Sequence, residues 1–258
     1  MKSPRLVISL LLACFALALP ALAAPAAAPV YELRTYTSPP GKRDALLARF
    51  REHTLALFEK HGMKNVIYWV PAEAKDDGEN KLIYLLEHKS RDAATASWKA
   101  FLADPVWKEV NKKTTANGPI VSKVESVFLA PTDFAKSMTA GAKAGGAPRV
   151  FELRTYTTPE GKLPNLDARF RDHTAGLFAK HGMTNLGYFH PLDADKGAAN
   201  TLIYFLAYPS RDAATAAWKG FRDDADWAKA RTASEKDGKI TTKVVSVFLT
   251  PTDFSPIK

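Results

Sequence analysis

The feature that most constrains the fold of this chain is an internal duplication. Residues 30–37 (VYELRTYT) return as residues 150–157 (VFELRTYT), so that Glu32 recurs 120 positions later as Glu152. The match runs without insertion or deletion from Val30/Val150 to Phe134/Phe254, and about half of the paired residues are identical. A period this long indicates two copies of one domain, because solenoid units are shorter. We call them copy one and copy two.

The repeated stretch reads as a strand, because β-branched and aromatic residues dominate it and a Pro-Gly turn signal follows. Alternate side chains of a strand share a face. One row is polar: Glu32, Arg34 and Tyr36. The other row is Tyr31, Leu33 and Thr35. We expect the polar row to face a polar-lined cavity and the other row to face a helical core.

Each copy predicts the order strand, helix, strand, strand, helix, strand, the split β-α-β-β-α-β arrangement of ferredoxin-like folds. Apolar residues at helical spacing between 46 and 58 indicate the first helix, which Gly62 ends. Ser90 is the expected N-cap of the second helix, and Pro105 breaks it. Two helices cover only one face of such a sheet. The two copies are therefore expected to pack sheet to sheet and to enclose a barrel-like interior.

The candidate site is this interior, with Arg34, Tyr36, Arg154 and Tyr156 as ligand-binding residues. Tyr68 and Tyr188, at the start of the second strand of each copy, are weaker candidates for the cavity wall. Arginine suits a bidentate contact to an anion, and a buried glutamate can act as a base. Glu32 and Glu152 are accordingly candidate catalytic bases. The alternative is that Glu32 and Arg34 form a buried ion pair that fixes how the copies dock.

His53 and His173 align with the apolar stripe of the first helix, and we expect them on its core side. The pattern favours satisfied core or boundary histidines, and the alternative is that they are catalytic bases or haem ligands. No second ligand stands at metal spacing, so the sequence predicts no metal site and no cofactor, with haem as the open alternative.

Residues 1–23 have the pattern of a secretory signal peptide, because Lys2 and Arg5 precede an apolar run that ends at small residues near Ala23. The expected location is periplasmic or secreted, with no integral membrane span after cleavage. The only cysteine, Cys14, lies in this segment. The formal net charge is +9, but basic residues are mixed with acidic ones along the chain, which disfavours nucleic-acid binding. We place copy one at residues 29–134, a flexible Ala/Gly/Lys-rich linker at 135–148 and copy two at 149–258.

Copy one opens with residues 31–36 followed by Pro-Gly, contains the spaced run Arg91, Trp98, Phe101, Asp104-Pro105 and Trp107, and closes with the stretch 125–129. In these motifs the sequence resembles the NIPSNAP family. The resemblance covers nearly all of both copies. It implies an α+β fold of the dimeric α/β-barrel superfamily, here with both halves in one chain. That superfamily includes cofactor-free monooxygenases, isomerases and haem enzymes, but the resemblance implies no agreed activity.

Three functions stay open at this stage. The first is binding of a small, partly apolar or anionic molecule between the two sheets. The second is a cofactor-free oxygenase or isomerase that uses the Glu/Arg/Tyr face, and the third is a haem-dependent enzyme. The partner in each case is a small molecule, and association of the chain into a homo-oligomer is a further possibility.

Overall fold

The computed structural model describes residues 29–135, Met138 and residues 149–258. The predicted signal peptide with Cys14 lies outside the described residues. Of the predicted linker, only Ala135 and Met138 are described, and Met138 is buried.

Both copies have the predicted strand and helix order, and their elements correspond one to one. The elements of copy one are β1 (Val30–Thr37), α1 (Arg43–Arg49), α2 (Leu55–Lys60), β2 (Lys64–Pro71), β3 (Lys81–His88), α3 (Arg91–Ala103), α4 (Pro105–Thr114) and β4 (Lys123–Pro131). Those of copy two are β5 (Val150–Thr157), α5 (Leu163–Arg169), α6 (Ala175–Lys180), β6 (Thr184–Pro191), β7 (Thr201–Tyr208), α7 (Arg211–Asp223), α8 (Ala225–Ser234) and β8 (Lys243–Pro251).

The predicted helix signals have the expected local chemistry. The Ser90 hydroxyl accepts a hydrogen bond from the Ala93 amide and caps α3. Asp104 ends α3 and caps α4, whose first residue is Pro105. Proline suits this position because its missing N–H would have no partner in the first helical turn.

The eight strands form one closed antiparallel barrel in the order β1-β3-β2-β8-β5-β7-β6-β4. The copies join at two seams, β2 with β8 and β4 with β6. Closure pairs every strand edge, so neither half has a free edge. The α+β fold predicted from the sequence, two ferredoxin-like units forming an intrachain dimeric α/β barrel, is confirmed.

The barrel interior is apolar and filled by both copies. Trp69 stacks on Phe205 with ring centroids 5.3 Å apart, and Tyr31 meets Phe189 edge to face at 5.1 Å. Leu33 belongs to the same buried cluster. An eight-stranded barrel has an interior just wide enough for side chains to fill. The row of Tyr31 and Leu33 therefore faces the barrel interior.

The predicted direction of the polar row was consequently wrong. Glu32, Arg34 and Tyr36 point away from the barrel toward the helices, and Glu152, Arg154 and Tyr156 do the same. A buried carboxylate or guanidinium needs hydrogen-bond partners, and the apolar interior provides few, whereas the helix-facing side of the sheet provides several, from neighbouring strands and from Trp98. A cavity of about 320 Å³ does open at one barrel end, but its lining comes from the other row, including Thr35 and Thr155.

The first helix of each copy is interrupted by a π-helical turn, Phe50–Thr54 in copy one and Phe170–Thr174 in copy two. The backbone hydrogen bonds of this turn run from residue i to residue i+5 and not to i+4, so the turn holds more residues than an α-helical one. The residues that face the core after the turn are therefore not those that regular α-helical spacing predicts. Arg49 and Thr54 become buried, while the His53 side chain is 43% exposed. His173 is exposed as well. The prediction that both histidines lie on the core side was wrong for this reason.

Candidate functional site

The polar row of β1 is tied to the helix layer through Glu32, which is buried. Its Oε2 accepts hydrogen bonds from Trp98 Nε1 on α3 at 2.8 Å and from His88 Nε2 on β3 at 3.0 Å. Its Oε1 accepts from the Ser126 hydroxyl on β4 at 2.6 Å and forms an ion pair with Arg34 Nη1 at 2.5 Å. Four donors from four elements thus converge on one carboxylate.

These contacts determine the charge of Glu32. Burial by itself would raise the pKa of this carboxyl, but the His88 hydrogen bond, the Arg34 charge and the Ser126 and Trp98 hydrogen bonds outweigh burial and lower the pKa to about 2. The carboxylate is therefore ionised at neutral pH. Its proton affinity is too low for an efficient general base, which works best with a pKa near the operating pH.

Arg34 is held from several sides. Its Nη2 donates to the Tyr36 hydroxyl at 3.3 Å and its Nε to the Tyr84 hydroxyl at 3.0 Å. The guanidinium carbon lies 4.2 Å from the centre of the Trp98 ring, a cation–π contact. Burial lowers the pKa of Arg34, but Tyr84, Tyr36 and Glu32 raise it above its ordinary value.

Copy two builds a similar cluster with one residue exchanged and without the equivalent of the bond to Tyr84, since Arg154 Nε and the Tyr204 hydroxyl have no partners among the described residues. Glu152 accepts from Trp218 Nε1 at 2.8 Å and from the Ser246 hydroxyl at 2.6 Å, and it pairs with Arg154. In place of His88 stands Tyr208, whose hydroxyl donates to Glu152 Oε2 at 2.6 Å. Burial, reinforced by the Glu152 charge, raises the pKa of Tyr208, so the phenol stays a donor.

A cavity of about 520 Å³ lies beside this cluster in copy two, between the sheet and the helices. We call it the copy-two cavity. Its aromatic lining comes from Tyr156, Phe170, Phe178, Trp218, Phe221, Trp227 and Phe248. Its charged lining comes from Arg154, Arg169, Arg211, Arg222, Arg231, Glu152 and Glu235.

Cations outnumber acids around the copy-two cavity. Glu235 accepts from both Arg169 Nη1 at 3.3 Å and Arg231 Nε at 3.4 Å. Arg211 reaches across to Glu73 of copy one at 2.9 Å. Even with Glu73 counted, five guanidinium groups face three carboxylates. The local charge is therefore positive at neutral pH.

Copy one differs from copy two at three of the positions that charge this cavity. Leu102 replaces Arg222, Asn111 replaces Arg231 and Thr115 replaces Glu235. The two halves therefore share the Glu–Arg–Tyr–Trp cluster but differ in the charged groups that surround it.

The structure brings some predicted site residues together and separates others. Glu152, Arg154 and Tyr156 line the copy-two cavity. Tyr68 and Tyr188 are fully buried in the helix-side cores, where each phenol bonds to the asparagine three residues before it. His53 and His173 lie outside this cavity.

Sequence reasoning missed the tryptophan and serine donors and the two buried arginines, Arg49 and Arg169. A signal was present, since Trp98/Trp218 and Ser126/Ser246 are identical in both copies. Ser126 moreover lies between Val124 and Phe128 on one face of its strand. A hydroxyl kept between two apolar side chains indicates a specific hydrogen-bond partner. Arg49 and Arg169 are identical in both copies as well, but that identity did not indicate burial, because the π-helical turn decides which face of the helix is buried.

Two features are absent from the described part of the chain. No helix in it is long and apolar enough to cross a bilayer. Within the same residues, no group of three or more His, Cys, Asp or Glu side chains is placed to hold a metal ion.

This fold, with its paired polar clusters beneath the helices, defines a dimeric α/β barrel whose halves are joined in one chain. The sequence model of the NIPSNAP family matches residues 31–136 and 151–256, which is more than half of the chain. The chain therefore belongs to the NIPSNAP family. No curated protein matches the chain.

Solved structures share the fold at low sequence identity. A "putative monooxygenase" from Lactobacillus acidophilus NCFM has a TM-score of 0.56 at 10% identity, covering 87% of this chain and 94% of that one. An "anthrone oxidase-like protein" has a TM-score of 0.50 at 13% identity, with 87% and 91% covered. A NIPSNAP family protein of unknown function from Agrobacterium tumefaciens str. C58 is 21% identical over 43% of this chain and 94% of that one, with a TM-score of 0.38.

Proposed function

We propose that this protein binds a small, partly aromatic anion in the copy-two cavity. The observation that carries the proposal is the combination, in one cavity, of aromatic walls and an excess of guanidinium groups. Small-molecule sites are typically concave and mostly apolar, with a few polar groups that orient the ligand. A volume of about 520 Å³ is within the range of such sites.

The apolar part of the ligand is matched by Trp218, Phe221 and Trp227. Trp218 and Phe221 have ring centroids 5.7 Å apart, and Phe221 and Trp227 have centroids 4.5 Å apart. These rings support one another and present a continuous aromatic surface. A planar ring system in the ligand gains both apolar burial and ring contacts from such a surface.

The anionic part is matched by arginines that the chain does not fully neutralise. Glu235 serves two guanidinium groups, and within the described residues Arg222 forms no ion pair. A carboxylate or phosphate on the ligand would supply the missing charge and accept bidentate hydrogen bonds from arginine.

The test is calorimetric titration of the full chain with 1-naphthoate and with the neutral 1-naphthalenemethanol. We expect the carboxylate to bind and the alcohol to bind at least tenfold more weakly. Arg222→Leu, which installs the residue of copy one, should weaken naphthoate binding about tenfold, in line with the loss of one charge-assisted contact.

Lys219→Leu is the matched control, because Lys219 also lies on α7 but does not line the cavity. It removes the same charge and should leave the affinity unchanged. Equal binding of the acid and the alcohol, or equal effects of Arg222→Leu and Lys219→Leu, would contradict the proposed anion site.

Cofactor-free oxygenase or isomerase chemistry is the second candidate. It is favoured by the aromatic cavity together with the fold shared with proteins named "putative monooxygenase" and "anthrone oxidase-like". The low pKa of Glu32 and the saturation of both glutamates by donors disfavour these carboxylates as bases. Oxygen uptake with an anthrone should separate the candidates: a turnover that Glu152→Gln abolishes while binding persists would establish the enzyme.

We further propose that binding takes place outside the cytoplasm, as the signal pattern of residues 1–23 predicts. N-terminal sequencing of the protein from fractionated cells tests this location. A mature protein that begins after Ala23 or Ala24 is the expected result, and retention of Met1 in the cytoplasmic fraction is the contrary one.

A further inference from the structure

Arg49 of copy one is a buried guanidinium group that has no carboxylate partner among the described residues. The residue is only 5% exposed. Its Nη1 donates to two neutral acceptors, Asn111 Oδ1 at 3.2 Å and Thr114 Oγ1 at 3.5 Å. Its Nε is buried without an acceptor, as is the Nε of Arg169, the equivalent residue of copy two. Burial of a charge is costly unless a counter-charge and hydrogen bonds accompany it.

In copy two, the equivalent arginine has a carboxylate partner. This residue, Arg169, is equally buried, and its Nη1 donates to Ser234 Oγ at 3.4 Å and to Glu235 Oε1 at 3.3 Å. The serine corresponds to Thr114, so this neutral contact is common to both copies. The carboxylate is not, because copy one has Thr115 at the position of Glu235.

The partial charges at the helix ends do not distinguish the surroundings of Arg49 from those of Arg169. Arg49 contacts the last turn of α4 and Arg169 contacts that of α8, where backbone carbonyls carry partial negative charge. This contribution is the same in both copies. What copy two adds is the Glu235 carboxylate, which Arg169 shares with Arg231, the residue at the position of Asn111.

The equivalent position in copy two borders open space. Arg169 lines the copy-two cavity although it is as buried as Arg49. Asn111, which receives the Arg49 hydrogen bond, is exposed on α4. The Trp107 ring centre lies 5.1 Å from the Arg49 guanidinium carbon and forms one wall beside it.

We propose that copy one binds a carboxylate anion on Arg49, at the position that Glu235 occupies in copy two. The site is separate from the copy-two cavity. Copy two supplies a carboxylate to its buried arginine from its own chain, whereas copy one takes that carboxylate from solution.

The test is the melting temperature of the full chain in added sodium acetate, over a fixed sodium chloride background and against matched additions of sodium chloride. Binding to the folded state alone raises stability by mass action. We expect acetate to raise the melting temperature of the wild type by roughly 2–4 °C more than chloride does.

Thr115→Glu supplies the carboxylate within the chain. We expect a higher melting temperature without acetate and a smaller acetate-specific response, the remainder being that of the copy-two cavity. The reciprocal Glu235→Thr recreates the copy-one arrangement in copy two and should enlarge the acetate response. Ala116→Glu is the matched control, because it places a carboxylate on the exposed residue that follows Thr115. Its melting temperature should respond to acetate as that of the wild type does.

Three results would overturn the proposal. Equal effects of acetate and chloride on the wild type would show that no carboxylate site exists. An acetate response that is undiminished in Thr115→Glu places the anion elsewhere, and an equal loss in Ala116→Glu indicates a general charge effect. Arg49→Met should also reduce the response, but Thr115→Glu decides the question even where that variant does not fold.

Discussion

Trp98 Nε1 on α3 donates a hydrogen bond to Glu32 Oε2 over 2.8 Å, and Trp218 on α7 makes the same bond to Glu152 over the same distance. The bond joins the first strand of each copy to the helix layer. It therefore fixes the side of the sheet on which the carboxylate and the guanidinium lie. The polar cluster of this protein belongs to each half separately and not to the space between the halves.

Glu32→Gln should destabilise the protein by about 3 kcal/mol, because it leaves the buried Arg34 without its counter-charge. The glutamine amide also places two donors among groups that are themselves donors. Urea unfolding measures the change. Glu125→Gln, at a half-exposed position on β4, is the control and should stay within about 0.5 kcal/mol of the wild type. A loss below about 1 kcal/mol in Glu32→Gln would show that the ion pair contributes little.

The stability that Glu32 contributes should vanish in acid. Its pKa falls from 4.5 to about 2 on folding, so the contribution is complete above pH 4.5 and is lost as the pH falls through 2. The shift corresponds to about 3 kcal/mol. Urea unfolding of the wild type and of Glu32→Gln between pH 2 and 7 should show two stabilities that converge toward pH 2. A constant difference over this range would contradict the low pKa.

His88→Tyr should be tolerated, with a change in unfolding free energy within about 1 kcal/mol. Copy two already places Tyr208 at this position, where its hydroxyl donates to the glutamate. The exchange also removes His88 Nδ1, which is buried and unpartnered. His88→Phe keeps the ring but not the donor, and it should cost about 1–3 kcal/mol by thermal or urea unfolding. Equal losses in both variants would show that ring packing, and not the hydrogen bond, matters here.

Trp69→Ala should destabilise both halves together, by about 3–5 kcal/mol. Trp69 is fully buried in the barrel and stacks on Phe205 of copy two. The unfolding curve should shift while remaining a single transition, because the barrel core is shared. Leu102→Ala, on the exposed side of α3, provides the comparison. A second transition in Trp69→Ala would mean that the copies unfold independently.

The sequence contained enough information to predict the architecture, since each signal was local or repeated. The offset between Glu32 and Glu152 showed the duplication, and Ser90 and Pro105 located the helix boundaries. The strand alternation correctly separated Glu32 and Arg34 from Tyr31 and Leu33. It did not show which row faced the barrel, because alternation distinguishes two faces of a strand but does not tell which of them is turned toward the barrel interior.

Other errors came from effects that no local pattern records. The π-helical turn at Phe50–Thr54 shifted the buried face, so that Arg49 became buried and His53 exposed. The contacts of Glu32 with Trp98 and Ser126 join residues that are 66 and 94 positions apart. Pairing of this kind depends on the packing of whole elements.

By itself, the sequence determined the duplication, the order of strands and helices and the need for two sheets to cover one another. Each follows from residue patterns within a few turns or from the repeat. Only the tertiary structure decided where the charges lie. Burial makes an ionised side chain stable only where donors or counter-charges converge, and for Glu32 and Glu152 that place is beneath the helices.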